Sequence, residues 1–495
     1  MAETMTKDEF VDVALKNGML MFGKDPFTLK SGRQSRLFFN AGNADHGSAL
    51  RYIEKAYAGI MGEDVGDKPV VCFGLPYKCI NVASHAAAAL CDAGHDARWN
   101  SYRKEEKGHG ADAKSILVAR ADNIKMCGGR VAIVDDVITT GASKYDAKEV
   151  LDELAKQEEF NLDITGVYLL VDRQEVTTDN VYKSAITQLQ DSTGMKTKAF
   201  ITATELIEAA RKKGIINDSQ YKSFLTYFRV YGAPEVLATY DKSIDPKMMV
   251  QPFFMPTERA VIPACDFEDI NLFEELVKAT ADVEKIGGYK VGSLLVEENG
   301  LGKVGDVAKK HAPKKALIYD GQKRGSDIPD MVYKQVKQYA RHGYDAAIIF
   351  AMQGGPEALL AGIHSGYENG INIIVGAEMT HQGFSKADGG CIAEEDMLRF
   401  YKIAASRGIR NFVMPGTKPE RIKFYREDFE KDGVRPIMVF SPGFVTQSGS
   451  IGPGGNAAGK YFQAIVGRGI YEKSPGQYRT ADEMRTEAIK LTKQL

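Results

Sequence analysis

The chain has 495 residues, 44% hydrophobic and 26% charged, with 64 Lys and Arg against 66 Asp and Glu for a net charge of −2. One hydrophobic core seldom grows past about 250 to 300 residues, so at least two folded domains are expected, and a disordered, collagenous or disulfide-stapled class is excluded. The charge balance gives no reason to expect a nucleic-acid partner, no run of about 18 apolar residues offers a membrane span, and six scattered cysteines without zinc spacing suit the reducing cytoplasm.

Near the start, Lys30-Ser31-Gly32-Arg33-Gln34-Ser35 offers cations and hydroxyls to an anion, and Gly74-Leu75-Pro76-Tyr77-Lys78 ends a β-rich run with a turn suited to pyrophosphate. Arg103-Lys104-Glu105-Glu106-Lys107-Gly108-His109-Gly110 puts four potentially cationic groups beside glycines, which fits an anion-binding loop able to neutralise a leaving group and exclude water. In Val131-Ala-Ile-Val-Asp135-Asp136-Val-Ile-Thr139-Thr140-Gly141-Ala142-Ser143, an apolar strand delivers two acids and then a small, hydroxyl-rich turn. Such a turn wraps phosphate, its helix pointing unsatisfied amides at the anion while the acids take sugar hydroxyls. Taken singly, each segment could be a solvated charge run or an ordinary Asp/Thr helix cap. LDITGVYLLVDR at 162–173 supplies a further strand, and the alternation of strands and helices reads as an α/β sheet domain.

Pro246, Pro252 and Pro256 interrupt regular structure, placing a boundary between Tyr240 and Thr257: one domain over 1–240, a linker over 241–257 and a second domain over 258–495. Eight β-like runs follow (AVIPACD, YKVGSLL, KALIYDG, AAIIFAM, NIIVGAEM, NFVMPG, RPIMVFSPG and QAIVGRGIY), the size and count of a (β/α)8 TIM barrel, with an open doubly wound sheet as the alternative. Reactive groups then belong at the carboxyl ends of the strands. Asp266, Lys290, Asp320, Lys323 and Asp327 form an alternating Asp/Lys set suited to proton donation. Pro442 and Gln447 after the seventh strand, with Gly467 and Arg468 after the eighth, fit a phosphate grip. Gly454-x-x-x-x-Gly459-Lys460 imitates a nucleotide-binding loop but is followed by Tyr461 instead of Ser or Thr.

VAIVDDVITTGAS resembles the ribose-phosphate signature of type I phosphoribosyltransferases, and RKEEKGHG resembles the catalytic loop of orotate phosphoribosyltransferases, a likeness spanning about residues 8 to 215. The resemblance implies a type I phosphoribosyltransferase fold, magnesium bound mainly through phosphoribosyl pyrophosphate (PRPP), and a loop shared between subunits. It also implies roles: Lys30, Arg103, Lys104, Lys107 and His109 on pyrophosphate, Lys107 being the most catalytic; Asp135 and Asp136 on ribose; Arg173 on orotate. Where the family continues with an aromatic pair and Asp-x-Arg, this chain has Phe38-Phe39-Asn40-Ala41-Gly42.

The second half resembles orotidine monophosphate decarboxylases over about 258 to 491, with Asp320-Gly-Gln-Lys323-Arg-Gly-Ser-Asp327-Ile-Pro in place of the tighter Asp-x-Lys-x-x-Asp. By that resemblance Asp266 contacts ribose, Lys290 links the network, and Asp320 and Lys323 are the reactive pair. Asp327 serves the other subunit, Thr380 faces the pyrimidine, and Gln447 and Arg468 hold phosphate, with no cofactor. Together the resemblances imply a homodimer or higher homo-oligomer that makes orotidine monophosphate (OMP) from orotate and PRPP and then decarboxylates it. The alternative keeps one half active and the other structural or regulatory.

Overall fold

The computed structural model describes residues 5–103, 116–120, 122–177, 180–234, 250–322, 327–350, 352, 354–445 and 449–495. Two compact units divide the chain: Met1–Phe27 with Ser35–Lys242, and Thr28–Gln34 with Ser243–Leu495. No described helix is long and apolar enough to cross a membrane.

Ahead of the main sheet of the first half, β1 (Leu20–Thr28) and β2 (Gln34–Phe39) form a two-stranded ribbon. β3 (Val70–Gly74), β4 (Ala97–Ser101), β5 (Arg130–Ile138), β6 (Asp163–Asp172) and β7 (Thr197–Thr202) then build a parallel sheet in the order β4-β3-β5-β6-β7. Its central strands are apolar on both faces because helices cover both. Cys72, Ala132, Val134, Tyr168 and Leu170 join one core layer, while the alternating Val71, Phe73, Val131, Ile133, Val167 and Leu169 join the other. The sheet reverses direction of growth between β3 and β5, and a crevice at that switch point, beyond the strand carboxyl ends, is where open α/β sheets bind ligands.

The eight expected strands of the second half are all present: β8 (Arg259–Cys265), β9 (Gly288–Val291), β10 (Ala316–Asp320), β11 (Ala346–Ile349), β12 (Asn372–Gly376), β13 (Asn411–Val413), β14 (Met438–Ser441) and β15 (Phe462–Val466). They pair in parallel, and β15 returns to β8 to close the barrel. Ile262, Ala264, Ala316, Ile318, Ala346, Ile348, Met438, Phe440 and Ile465 fill its interior at every second position. Phe253, Phe254 and Met255, read as linker from the prolines around them, pack into this core.

Candidate active sites

The first site gathers at the switch point. β3 ends at Gly74, where any Cβ would collide with the Cys79 carbonyl, so only glycine lets the chain turn directly into the helix Cys79–Asp92. That turn carries Lys78, exposed, whose Nζ donates to Asn40 Oδ1 at 2.8 Å. Asn40 thus supplies the polar contact at the stretch that lacks Asp-x-Arg.

β5 runs on through Asp135 and Asp136, where the sequence suggested four apolar residues followed by the acids. Its neighbour β6 is one residue longer and supplies partners, Asp135 opposite Leu169 and Val137 opposite Val171. The chain then turns at Thr139 and Thr140 and enters the helix Ala142–Gln157. Gly141 caps it at φ +82°, a left-handed conformation that suits glycine, and among the described residues no side-chain hydrogen bond caps the helix there. Ala142 is exposed and Ser143 half-buried at this turn.

Asp135 is held from several sides. Oδ1 accepts from the Cys79 thiol at 3.3 Å and the Asp136 amide at 3.0 Å, while Oδ2 accepts from Ser143 Oγ at 3.3 Å and pairs with the Lys144 ammonium. Asp136 accepts the Val137 amide at 2.8 Å. Burial raises the Asp136 carboxyl above the ordinary aspartate range and Asp135 adds to this, against the opposing pull of Lys144 and Lys78. Cys79, Asp135 and Asp136 bring ligand atoms within 4.8 Å of one another. They do not fit magnesium as a cage: burial and then the two acids push the thiol far above its usual range, and this hard cation takes oxygen ligands.

Further residues expected of the first site have surroundings of their own. Arg173, at the end of β6, is buried and ion-paired with buried Glu175 at 2.6 Å. Tyr227 donates to the same carboxylate at 2.8 Å, and Arg173 reaches Ser35 Oγ at 3.5 Å. Burial opposes the Arg173 charge, but Glu175 and Tyr227 outweigh it. Arg103 donates to the Leu117 carbonyl at 2.8 Å. Lys30 stands exposed in the turn between β1 and β2. Lys104, Lys107 and His109 lie outside the described residues.

The second site follows from strand alternation. Ile262 and Ala264 point into the barrel, so Asp266, two residues on, points into its mouth, and Ala316, Ile318 and Asp320 repeat the pattern. Lys290 is in register with both Ala264 and Ile318, one layer below the two acids. Its ammonium lies 3.3 Å from Asp266 Oδ1 and pairs with Asp320 Oδ2. Lys290 is buried; that burial works against its charge, yet Asp320 and then Asp266 prevail and hold it protonated beyond the ordinary lysine range.

A cavity of about 400 Å³ opens over this network, lined by Asp266, Lys290, Pro442, Gly467, Arg468 and Tyr471 among others. Tyr471 was not anticipated; it is buried, with its ring T-shaped against Phe267 at 4.9 Å. Thr380 is half-buried after β12 and accepts from Thr417 Oγ1 through its carbonyl at 3.0 Å. Asp327 is exposed, bonded to the Ile328 amide at 2.7 Å, and among the described residues is not paired with Lys290. Lys323 and Gln447 lie outside the described residues. Lys460 pairs with Glu258 at 2.8 Å on the surface after the helix Ile451–Ala458, which fits no nucleotide loop.

The first half is 34% identical over 232 residues to the orotate phosphoribosyltransferase of Clostridium acetobutylicum, a match covering 46% of this chain and 97% of that protein. The chain belongs to the orotate phosphoribosyltransferase family. Residues 259–482 match the orotidine 5'-phosphate decarboxylase / HUMPS family. Among solved structures, orotidine 5'-monophosphate decarboxylase from Methanocaldococcus jannaschii with the inhibitor BMP is 24% identical, covering 49% of this chain and 99% of that one at a TM-score of 0.41. Orotate phosphoribosyltransferase from Francisella tularensis is 27% identical, covering 45% and 99% at a TM-score of 0.36. With both families in one polypeptide, the chain is of the bifunctional uridine monophosphate synthase type.

Proposed function

We propose that the first unit joins orotate to the ribosyl carbon of PRPP, and that the barrel decarboxylates the resulting OMP to uridine monophosphate. The observation that carries the reading is the pair of separate charged sites at strand carboxyl ends, Asp135/Asp136 in the sheet and Asp266/Lys290/Asp320 in the barrel, in halves similar to enzymes of consecutive reactions.

In the transfer, a ring nitrogen of orotate attacks the anomeric carbon as its bond to pyrophosphate breaks. The turn from Thr139 to Ser143 cradles the ribose phosphate, and the acid pair Asp135 and Asp136 forms the ribose-hydroxyl end of the site. Lys30, Lys78, Arg103, Lys104, Lys107 and His109 neutralise the leaving pyrophosphate. Arg173, oriented by Glu175 and Ser35, faces the orotate ring. Transfer depends on magnesium, and we place the ion mainly on oxygens of PRPP.

In the barrel the bond from the pyrimidine ring to its carboxylate breaks, carbon dioxide leaves, and the Lys323 ammonium protonates the ring carbon left behind. Asp320 destabilises the bound carboxylate and Lys290 fixes the acids on either side of it. Arg468, Gln447, Pro442 and Gly467 grip the nonreacting phosphate, whose binding energy positions the ring, while Thr380 meets the pyrimidine. This step needs no cofactor. We further read the chain as a cytoplasmic homodimer or larger homo-oligomer in which the 103–110 loop and Asp327 serve a neighbouring subunit; six unpaired thiols suit that compartment.

Separate Lys107→Ala and Lys323→Ala variants test the assignment. The first is expected to stop orotate consumption while OMP added directly is still decarboxylated, and the second to stop carbon dioxide release while pyrophosphate release continues. Loss of both activities in either variant contradicts two independent sites.

A further inference from the structure

Lys144 belongs to neither expected site, yet its side chain is 3% exposed. It is the third residue of the helix Ala142–Gln157, and it turns back beneath β5 instead of reaching solvent. A desolvated ammonium is tolerated only when its protons are placed. All three have acceptors here: Asp135 Oδ2, the Val137 carbonyl at 2.6 Å and Ser143 Oγ at 3.3 Å.

The same contacts settle what the two acids can do. Asp135 receives the Cys79 thiol and the Asp136 amide on Oδ1, and Ser143 and Lys144 on Oδ2, so protein donors engage both oxygens. Asp136 receives the Val137 amide on Oδ1, and among the described residues Oδ2 has no hydrogen-bond donor. A sugar hydroxyl entering the site therefore finds its acceptor on Asp136. The buried cation also reduces the local charge of the pair from −2 to −1, which lowers its repulsion of a polyanionic phosphorylated sugar.

We infer that Lys144 is a positioning residue that divides the adjacent carboxylates into one acid held by the protein, Asp135, and one presented to the ligand, Asp136. The inference rests on reading this site as the ribose-phosphate site of the transferase half. It deepens that reading by giving the two aspartates different tasks. A lysine at this place also makes the strength of PRPP binding depend on a charge that the substrate never touches.

A double-mutant cycle on the full chain tests it, with KM for PRPP and kcat taken from orotate consumption for Lys144→Met, Asp135→Asn and the double variant, and Asp136→Asn measured beside them. Lys144→Met leaves Asp135 uncompensated and is expected to raise KM for PRPP about 10- to 100-fold with a smaller change in kcat. Removing both charges together is expected to recover at least about tenfold of that loss, the signature of a coupled pair. If Lys144→Met fails to fold, which thermal unfolding reports, the comparison passes to the double variant, whose KM is expected to stay at least about tenfold below that of Asp136→Asn. Additive losses in the cycle, a double variant as impaired as Asp136→Asn, or a Lys144→Met chain with unchanged KM would each overturn the inference. A parent chain that consumes no orotate would remove the underlying reading, whereas an active parent with an additive cycle would remove this inference alone.

Discussion

Each unit sets one buried lysine among two carboxylates, but the sheet and the barrel do so in opposite ways. In the sheet the acids are neighbours on one strand, and Lys144 comes from the following helix to pair with one of them, Asp135. In the barrel the acids come from two strands and Lys290 from the strand between them, so the cation contacts both. An open sheet presents consecutive residues of one strand to a ligand at its edge. A closed barrel brings every second residue of neighbouring strands to a common mouth and can place one charge between two others. The first geometry offers carboxylate oxygens at a strand end, and the second holds one cation between two acids at a common cavity.

The largest way to break this comparison is Lys290→Met. It leaves two acids facing each other at the barrel mouth and is expected to cut decarboxylation at least about a hundredfold, the lower end of what a loss of about 3 to 5 kcal/mol corresponds to. Orotate consumption by the same protein is expected to be unchanged; parallel loss would show that the sites are not separate.

Glu175→Gln acts on the sheet side. It removes the counter-charge of buried Arg173 and is expected to raise KM for orotate about 10- to 100-fold with decarboxylation of added OMP intact. Glu378→Gln is a smaller test on the barrel side. The Glu378 carboxylate is buried, 2.9 Å from Arg421 Nε, 2.6 Å from the Tyr425 hydroxyl and 3.4 Å from Lys418. Its neutralisation is expected to destabilise the barrel by about 1 to 3 kcal/mol, read from the denaturant midpoint.

The mildest test is pH. With its proton affinity raised, Asp136 gains a proton at a higher pH than an ordinary aspartate, so kcat/KM for PRPP is expected to fall early on acidification. Lys290 is shifted upward, so its ionic contribution is complete below the ordinary lysine value of about 10.4 and is lost only as pH rises through its elevated folded value. No alkaline loss of decarboxylation below about pH 10 is therefore expected from this residue.

The eight barrel strands were legible because their apolar runs are short, regularly spaced and end in polar residues, and Asp266, Lys290 and Asp320 followed from that register. β4 and β7 were not singled out: Ala-Arg-Trp-Asn-Ser and Thr-Lys-Ala-Phe-Ile-Thr lie at the two sheet edges and mix polar with apolar side chains. Lys144 was missed because a lysine in the first turn of a polar helix reads as solvent-facing, and nothing local shows it folding under the strand. Glu175 follows Arg173 by two positions, but its pairing also needs Tyr227, 52 residues away along the chain. Tyr471 sits three residues beyond Arg468 in the same short helix, a spacing that puts both side chains on one face, so its place in the cavity follows once that helix is known.

One measurement bears most directly on the two-site account. Purified chain is given orotate, PRPP and magnesium, and separately OMP with a chelator, while orotate consumption and carbon dioxide release are followed together. The account predicts that the first mixture consumes orotate and releases carbon dioxide, and that the second releases carbon dioxide despite the chelator. Consumption of orotate with OMP accumulating and never decarboxylated would contradict it.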